Sequence, residues 1–517
     1  MPMKPKMLVF SHICSPQFVT GAEKLLVFML RELKPYFSCT LVVPTEGVIA
    51  QQARELGIPV IHHDVPIVVP LYLALPHLMG EIETYQRSEA WPALIELIRR
   101  EQPDVAFVNT TVHPLPAIAA KMLGIPVIWS VMEAIRFTPH TADSAALIEH
   151  CADLVVGISE ATLAPLRTPG LLPKSIIIPP SWEPSALHPE SWPELRAQRR
   201  AALGVADHQR LVGYISSSIF EAKGLDHFMQ MAIEVAERFP DAIFLIVGNP
   251  TDPAYFEQCL ELARARDLMS RFRWIRFEEN VETIYPAMDV TVIPSTTAEG
   301  FGMTALEAMV FGRPVVLYGS GGLAEIAGAT GNGAYMATTG DTGGLFARVC
   351  SLLGDPARLA AAGAHNASAS RIAFGIDVYR RRIVQLVGLL AGRGVLPPAP
   401  VKGSKDTVYR FEHGVLRPYR TAEALRADGF AFEQVREVSD LLIDLLPKGA
   451  PIGEPPPPKR RKLSRALGRR RTALRARRRR GRRRPARSGR IVRKRARRIG
   501  AVRVRTRRGR RARKPRR

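Results

Sequence analysis

The chain has 517 residues, 46% of them hydrophobic, which is enough to bury more than one core, and a formal net charge of +25. Residues 459–517 hold 33 Lys and Arg and neither Asp nor Glu, leaving 40 basic against 48 acidic side chains in the first 458 residues, a net of −8. The body is therefore mildly acidic and not itself a nucleic-acid-binding surface, and the basic segment is a separate tail. Cysteines at 14, 39, 151, 259 and 350 contain no C-x-x-C pair, which argues against a disulfide framework or a zinc site and for a reducing, cytoplasmic compartment.

In chain order, Lys4 and Lys6 precede an apolar run, residues 7–10, too short for a signal peptide or a spanning helix, and no later window reaches 18 uninterrupted apolar residues. Short β-branched runs at 7–10, 39–43, 59–61, 105–108, 127–130 and 154–158 predict buried strands, with helical periodicity between them over 22–33 and 91–100. Residues 65–80, with Pro66, Pro70 and Pro76 among apolar side chains, predict an acceptor-side loop or a membrane-contacting patch. After the proline-rich stretch 173–189 the alternation restarts, with strands at 211–215, 242–247, 273–277, 290–293 and 314–317. Two Rossmann-like α/β domains follow, over 1–185 and 186–395, facing across a cleft at the carboxyl ends of their strands. Residues 396–404, with Leu396-Pro397-Pro398-Ala399-Pro400, predict a stiff linker. A small unit over 405–452 has a hairpin at 408–416 turning at His413-Gly414, then helices at 422–427 and 432–446. Residues 453–517 predict a proline linker and a disordered basic tail.

The segment Glu299-Gly300-Phe301-Gly302-Met303-Thr304-Ala305-Leu306-Glu307 reads as a loop that opens a helix. Gly300 and Gly302 allow unusual backbone angles and close approach of a ligand, and the N–H groups of residues 303–306 would present the positive end of the helix to a diphosphate. Glu299 and Glu307 would flank it as acceptors for sugar hydroxyls. The same residues also fit a capping box from Thr304 to Glu307 with Glu299 a solvated loop carboxylate.

The Glu-x7-Glu spacing within this segment resembles the signature of family 4 retaining glycosyltransferases of the GT-B fold. Lys223-Gly224 resembles the family's Lys-Gly after the first strand of the second domain, Gly321-Gly322-Leu323-Ala324-Glu325 its Gly-Gly-x-x-Glu loop, and Gly21-Ala22-Glu23 its N-terminal glycine loop. The resemblance covers about residues 5–390 and is weakest in the first domain. It implies a nucleotide-sugar donor, UDP- or GDP-linked, and transfer with retention to a glycan or lipid-linked acceptor. Glu307 would bind the ribose, Glu299 would contact the transferred sugar, Gly300, Phe301, Gly302, Met303 and Thr304 would hold sugar and phosphate, Lys223 would neutralise the diphosphate, and Gly21 would close on it. No metal is expected, and the chain contains no Asp-x-Asp. Ser216-Ser217-Ser218 stands where the family commonly has an Arg, and Ser130 where it often has a His; Glu133 follows as an acceptor-side candidate or a structural carboxylate.

Three other readings compete. Gly319-Ser320-Gly321-Gly322-Leu323-Ala324 fits the G-x-G-x-x-A pattern of nicotinamide-dependent dehydrogenases. A sugar-nucleotide epimerase would share the GT-B architecture. The serines at 216–218 also suit a catalytically silent nucleotide-sugar-binding protein tethered by its tail. The tail, which lacks aromatic residues, predicts contact with an anionic membrane surface, peripheral at its inner face, rather than with nucleic acid. An extension without function is the alternative.

Overall fold

The computed structural model describes residues 4–16, 19–278, 280–396 and 398–453. Pro397 and the proline and basic segments from 454 onward lie outside them. Seven parallel strands form the first sheet: β1 (Lys6–Phe10), β2 (Ser38–Val43), β3 (Val60–His62), β4 (Val105–Asn109), β5 (Val127–Val131), β6 (Leu154–Gly157) and β7 (Ser175–Ile177), in the order β3-β2-β1-β4-β5-β6-β7. Alternate residues of each strand feed different cores. Met7, Val9, Leu41 and Phe107 enter one layer, while Leu8, Phe10, Val42 and Trp129 enter the other. A sheet covered on both faces needs apolar residues at every position, which is why these strands read as continuous runs.

The second sheet repeats the plan with β8 (Arg210–Ile219), β9 (Ala242–Pro250), β10 (Phe272–Ile275), β11 (Val290–Ile293), β12 (Val315–Tyr318) and β13 (Met336–Ala337), ordered β10-β9-β8-β11-β12-β13. In both sheets the order reverses beside the first strand, between β1 and β4 and between β8 and β11. Such reversal points open a crevice at the carboxyl ends of the strands. The strand expected over 273–277 stops at Ile275, and Phe277 beyond it is 64% exposed.

Three expectations for the C-terminal part are corrected. The helix Ile376–Gly392, assigned by sequence to the second domain, places Tyr379, Ile383, Leu386 and Leu390 in the core of the first, beside Met7, Leu26 and Leu30. The linker at 396–404 contains strand β14 (Ala399–Lys402), which pairs with β15 (Tyr409–Glu412) of the hairpin, itself closed by β16 (Val415–Pro418). The helix expected over 432–446 is broken. Val435 and Val438 flank the two-residue strand β17 (Arg436–Glu437), which pairs with β14, and Ser439 then accepts the Leu442 N–H and restarts a helix, Asp440–Leu445. β-Branched residues favour the sheet edge and serine the cap, so local chemistry overrides the helical period. Val401, Phe411, Leu416, Leu442 and Leu446 share the first domain's core, so the small unit has no separate one.

Among the described residues no helix is long and apolar enough to cross a membrane. Burial lowers the imidazole of His113 to about 3 and that of His12 to about 4. Both histidines take up a proton near pH 6.5 when unfolded but not when folded. Their contribution is therefore intact above pH 6.5 and is lost as pH falls toward 4. Urea melts are expected to show a lower midpoint at pH 5 than at pH 7 on this account, and His113→Asn to flatten that dependence. An unchanged slope in the variant would mean that His113 is protonated inside the fold.

Candidate functional site

β11 delivers the chain to the cleft, and residues 294–302 form the loop before the helix Met303–Val310. Of the two loop glycines expected to take unusual angles, Gly302 does so as the helix N-cap, at φ 107°. Gly300 is required for space instead, since a Cβ there would lie 2.4 Å from the Met132 carbonyl oxygen of the first domain. The amides of Ala305 and Leu306 donate to the Gly302 carbonyl at 3.0 and 3.2 Å. The run of four amides expected to face a ligand is thus shortened to Met303 and Thr304. No side chain caps this helix, so the Thr304–Glu307 capping box does not form.

Opposite the loop, β8 continues through Ser216–Ser218 with a bulge before Ser218, and the turn Glu221–Lys223 follows. Lys223 Nζ donates to Glu299 Oε1 at 2.6 Å, and Ser295 Oγ donates to the same oxygen at 2.6 Å. The lysine and glutamate side chains remain 28% and 21% exposed, within reach of a ligand.

These groups wall a cavity of about 410 Å³ between the two domains, within the size range of small-molecule sites. Lys223, Glu299, Gly300, Phe301, Gly302, Met303 and Thr304 meet Gly21 and Glu133 there. Ser130 and Glu307 are not on the wall. Ser130 is buried in β5, its hydroxyl without a partner among the described residues. Glu307 sits more than a turn into the helix, where its Oε2 accepts the Tyr285 O–H at 2.7 Å and burial pushes its carboxyl above the usual range. Glu133 is likewise pushed up by burial and accepts the Thr111 N–H at 3.0 Å.

Sequence reasoning missed Arg136 as a wall residue and Glu325 as a bridge, whereas Tyr72 on the wall lies in the 65–80 segment expected on the acceptor side and Ser216 and Ser217 in the serine triplet noted in place of an arginine. The Glu325 carboxylate accepts the N–H groups of Glu160 and Ala161 at 2.8 and 2.7 Å, and Ser159 Oγ donates to the Gly300 carbonyl at 2.5 Å. A second-domain carboxylate therefore caps a first-domain helix start, a favourable placement at the positive end of its dipole. Position at a strand's carboxyl end could have flagged Arg136, three residues beyond Glu133; Glu325 was noted only within the Gly-Gly-x-x-Glu loop, and nothing local announces its partners across the domains. Gly321 and Gly322 let the chain lie against the loop, where added Cβ atoms would meet Glu299 O at 2.5 Å and Phe301 Cα at 2.5 Å. Neither these glycines nor Gly319 reach the cavity wall, which removes the geometric basis of the dinucleotide reading.

A family model described as "Glycosyl transferases group 1" matches residues 209–355. Anabaena HepE, solved in complex with UDP and glucose, superposes with a TM-score of 0.61 at 19% identity, covering 74% of this chain and 99% of that one. The fold is GT-B. WaaG, a glycosyltransferase involved in lipopolysaccharide biosynthesis, shares the GT-B fold at a TM-score of 0.52 and 15% identity, covering 71% of this chain and 99% of its own. The lipopolysaccharide core biosynthesis mannosyltransferase LpsB of Rhizobium meliloti is 26% identical over 345 residues, 66% of this chain and 90% of that protein. The D-inositol 3-phosphate glycosyltransferase of Corynebacterium diphtheriae is 30% identical over 193 residues, 36% of this chain and 44% of that protein. The match to the group 1 glycosyltransferase model thus falls within the second domain, and the chain is similar to sugar-transferring enzymes.

Proposed function

We propose that the protein is a family 4 retaining glycosyltransferase that moves a sugar from a nucleotide diphosphate donor to a glycan or lipid-linked acceptor without a divalent ion. The observation that carries this reading is the meeting of Lys223, Glu299 and the amides of Met303 and Thr304 on one interdomain cavity with first-domain residues opposite. Cleaving the bond between the anomeric carbon and the diphosphate builds positive charge on the sugar and negative charge on the leaving group. Lys223 and the two amides favour the second, and Glu299 the first. Glu307 acts on the donor ribose only if Tyr285 releases its carboxylate, so its part is placed second to that of Glu299. UDP in HepE and sugar transfer in LpsB support the donor class and the reaction. A cytoplasmic location, with the 459–517 segment held at the anionic inner face of the membrane, belongs to the same proposal.

The test is a thermal-shift screen of the full chain against UDP-, GDP- and ADP-sugars with EDTA present. One class is expected to raise Tm, and deletion of 459–517 is expected to leave that shift intact. Loss of donor binding on deletion would contradict the modular role given to the tail. A second reading, a nucleotide-sugar-binding protein without turnover, is favoured by Ser216 and Ser217, which line the wall and carry no charge. Binding without sugar release to any acceptor or to water would establish it.

A further inference from the structure

Among the described residues two cationic side chains reach the cavity wall, Lys223 and Arg136, and their circumstances differ. Lys223 is held by Glu299 at 2.6 Å, so its charge is compensated before any ligand arrives. Arg136 follows β5 on the first-domain side. Its backbone is pinned, its N–H donating to the Tyr72 carbonyl at 3.0 Å and its own carbonyl accepting from Thr141 Oγ1 at 2.9 Å. Its guanidinium has no ion pair or hydrogen bond among the described residues and lies 5.9 Å from the centre of the Tyr72 ring, which is itself on the wall.

An exposed arginine without a carboxylate is commonplace on an open surface. This one is anchored at its backbone, set against an aromatic ring and lines the same cavity as the Lys223–Glu299 pair. Glu133, also on the wall, accepts the Thr111 N–H at 3.0 Å and makes no ion pair with Arg136 among the described residues, so Arg136 is the wall cation without an ion-pair partner. A guanidinium backed by a ring keeps its fork of donors open to a planar or tetrahedral anion, and that fork matches phosphate in two-point contact.

We propose that Arg136 binds a phosphoryl group of a substrate in this cavity, with Tyr72 carrying the underside of its guanidinium. The proposal rests on the nucleotide-sugar reading above. The phosphoryl group has two sources, the donor's diphosphate or a phosphate on the acceptor, and in either case a first-domain residue adds a charge that the second domain does not supply.

The experiment is calorimetric titration of the full chain and its Arg136→Ala and Arg136→Lys variants, with UDP as one probe and inorganic phosphate, added to UDP-saturated protein, as the other. Both variants are expected to melt with wild type, because the side chain is exposed. A UDP affinity reduced on the order of tenfold in Arg136→Ala, with Arg136→Lys between, assigns the donor diphosphate. Unchanged UDP binding with phosphate binding lost assigns an acceptor phosphate. Equal affinity of wild type and Arg136→Ala for both probes overturns the proposal. Phosphate binding lost in the variant, with no UDP binding to either protein, would retire the nucleotide-sugar reading and keep the phosphate site. No response of wild type to either probe would overturn both.

Discussion

Lys223→Met is expected to lower sugar transfer by about a hundredfold or more, the scale on which removal of one charge-stabilising donor acts. The loss comes from two directions. The leaving diphosphate loses its cation, and Glu299, now held only by Ser295 at 2.6 Å, becomes an uncompensated carboxylate on the same wall. A carboxylate beside a diphosphate repels it, so donor affinity should also fall, on the order of tenfold. The double variant Lys223→Met/Glu299→Gln separates the two effects. Removing the carboxylate charge should restore much of the lost donor affinity without restoring turnover, a coupling expected of groups in contact. UDP dissociation constants and single-turnover rates of the four proteins close the cycle. Equal affinities for the single and double variants would show that the diphosphate does not approach Glu299.

Most of the strands were legible because both faces of each sheet are covered, so that each strand is a short apolar run. β7 and β13 were not, since they are edge strands of only three and two residues. β8 was expected to end at Ile215, although the strand continues through the serines to Ile219. The residues of the 299–304 loop were expected together because they lie close together in sequence, and nine of the eleven residues named for the site line the cavity wall. Glu307 was placed there by its spacing from Glu299, but spacing is silent about Tyr285, whose O–H takes the carboxylate. The links between domains were beyond reach for the same reason. Glu325 meets the amides of Glu160 and Ala161 across more than 160 residues, and neither segment has a period or turn signal that names the other.

Gly224→Ala should cost about 3 kcal/mol of folding free energy and, with it, the geometry of the cavity. Gly224 adopts φ 67°, ψ 36° at the start of the helix Leu225–Arg238, a left-handed conformation that a side chain strains. Strain is the smaller part. A Cβ at this position would stand 2.0 Å from the Pro294 carbonyl oxygen and 3.0 Å from its carbon, so backbone must move, and cores resist such intrusion. Pro294 opens the loop that carries Ser295 and Glu299, and the Thr296 N–H ties that loop to the Ala222 carbonyl at 3.0 Å. Pushing Pro294 away therefore separates Glu299 from Lys223, the residue next to the substituted glycine. Gly124→Ala isolates the strain, because Gly124 has φ 73° and nothing within 4 Å of its would-be Cβ. Denaturant melts are expected to show Gly124→Ala losing about 1–2 kcal/mol with nucleotide binding unchanged, and Gly224→Ala losing more together with that binding. If the two variants lost stability equally, the close approach of residue 224 to Pro294 would not be what holds the lysine turn against the donor loop.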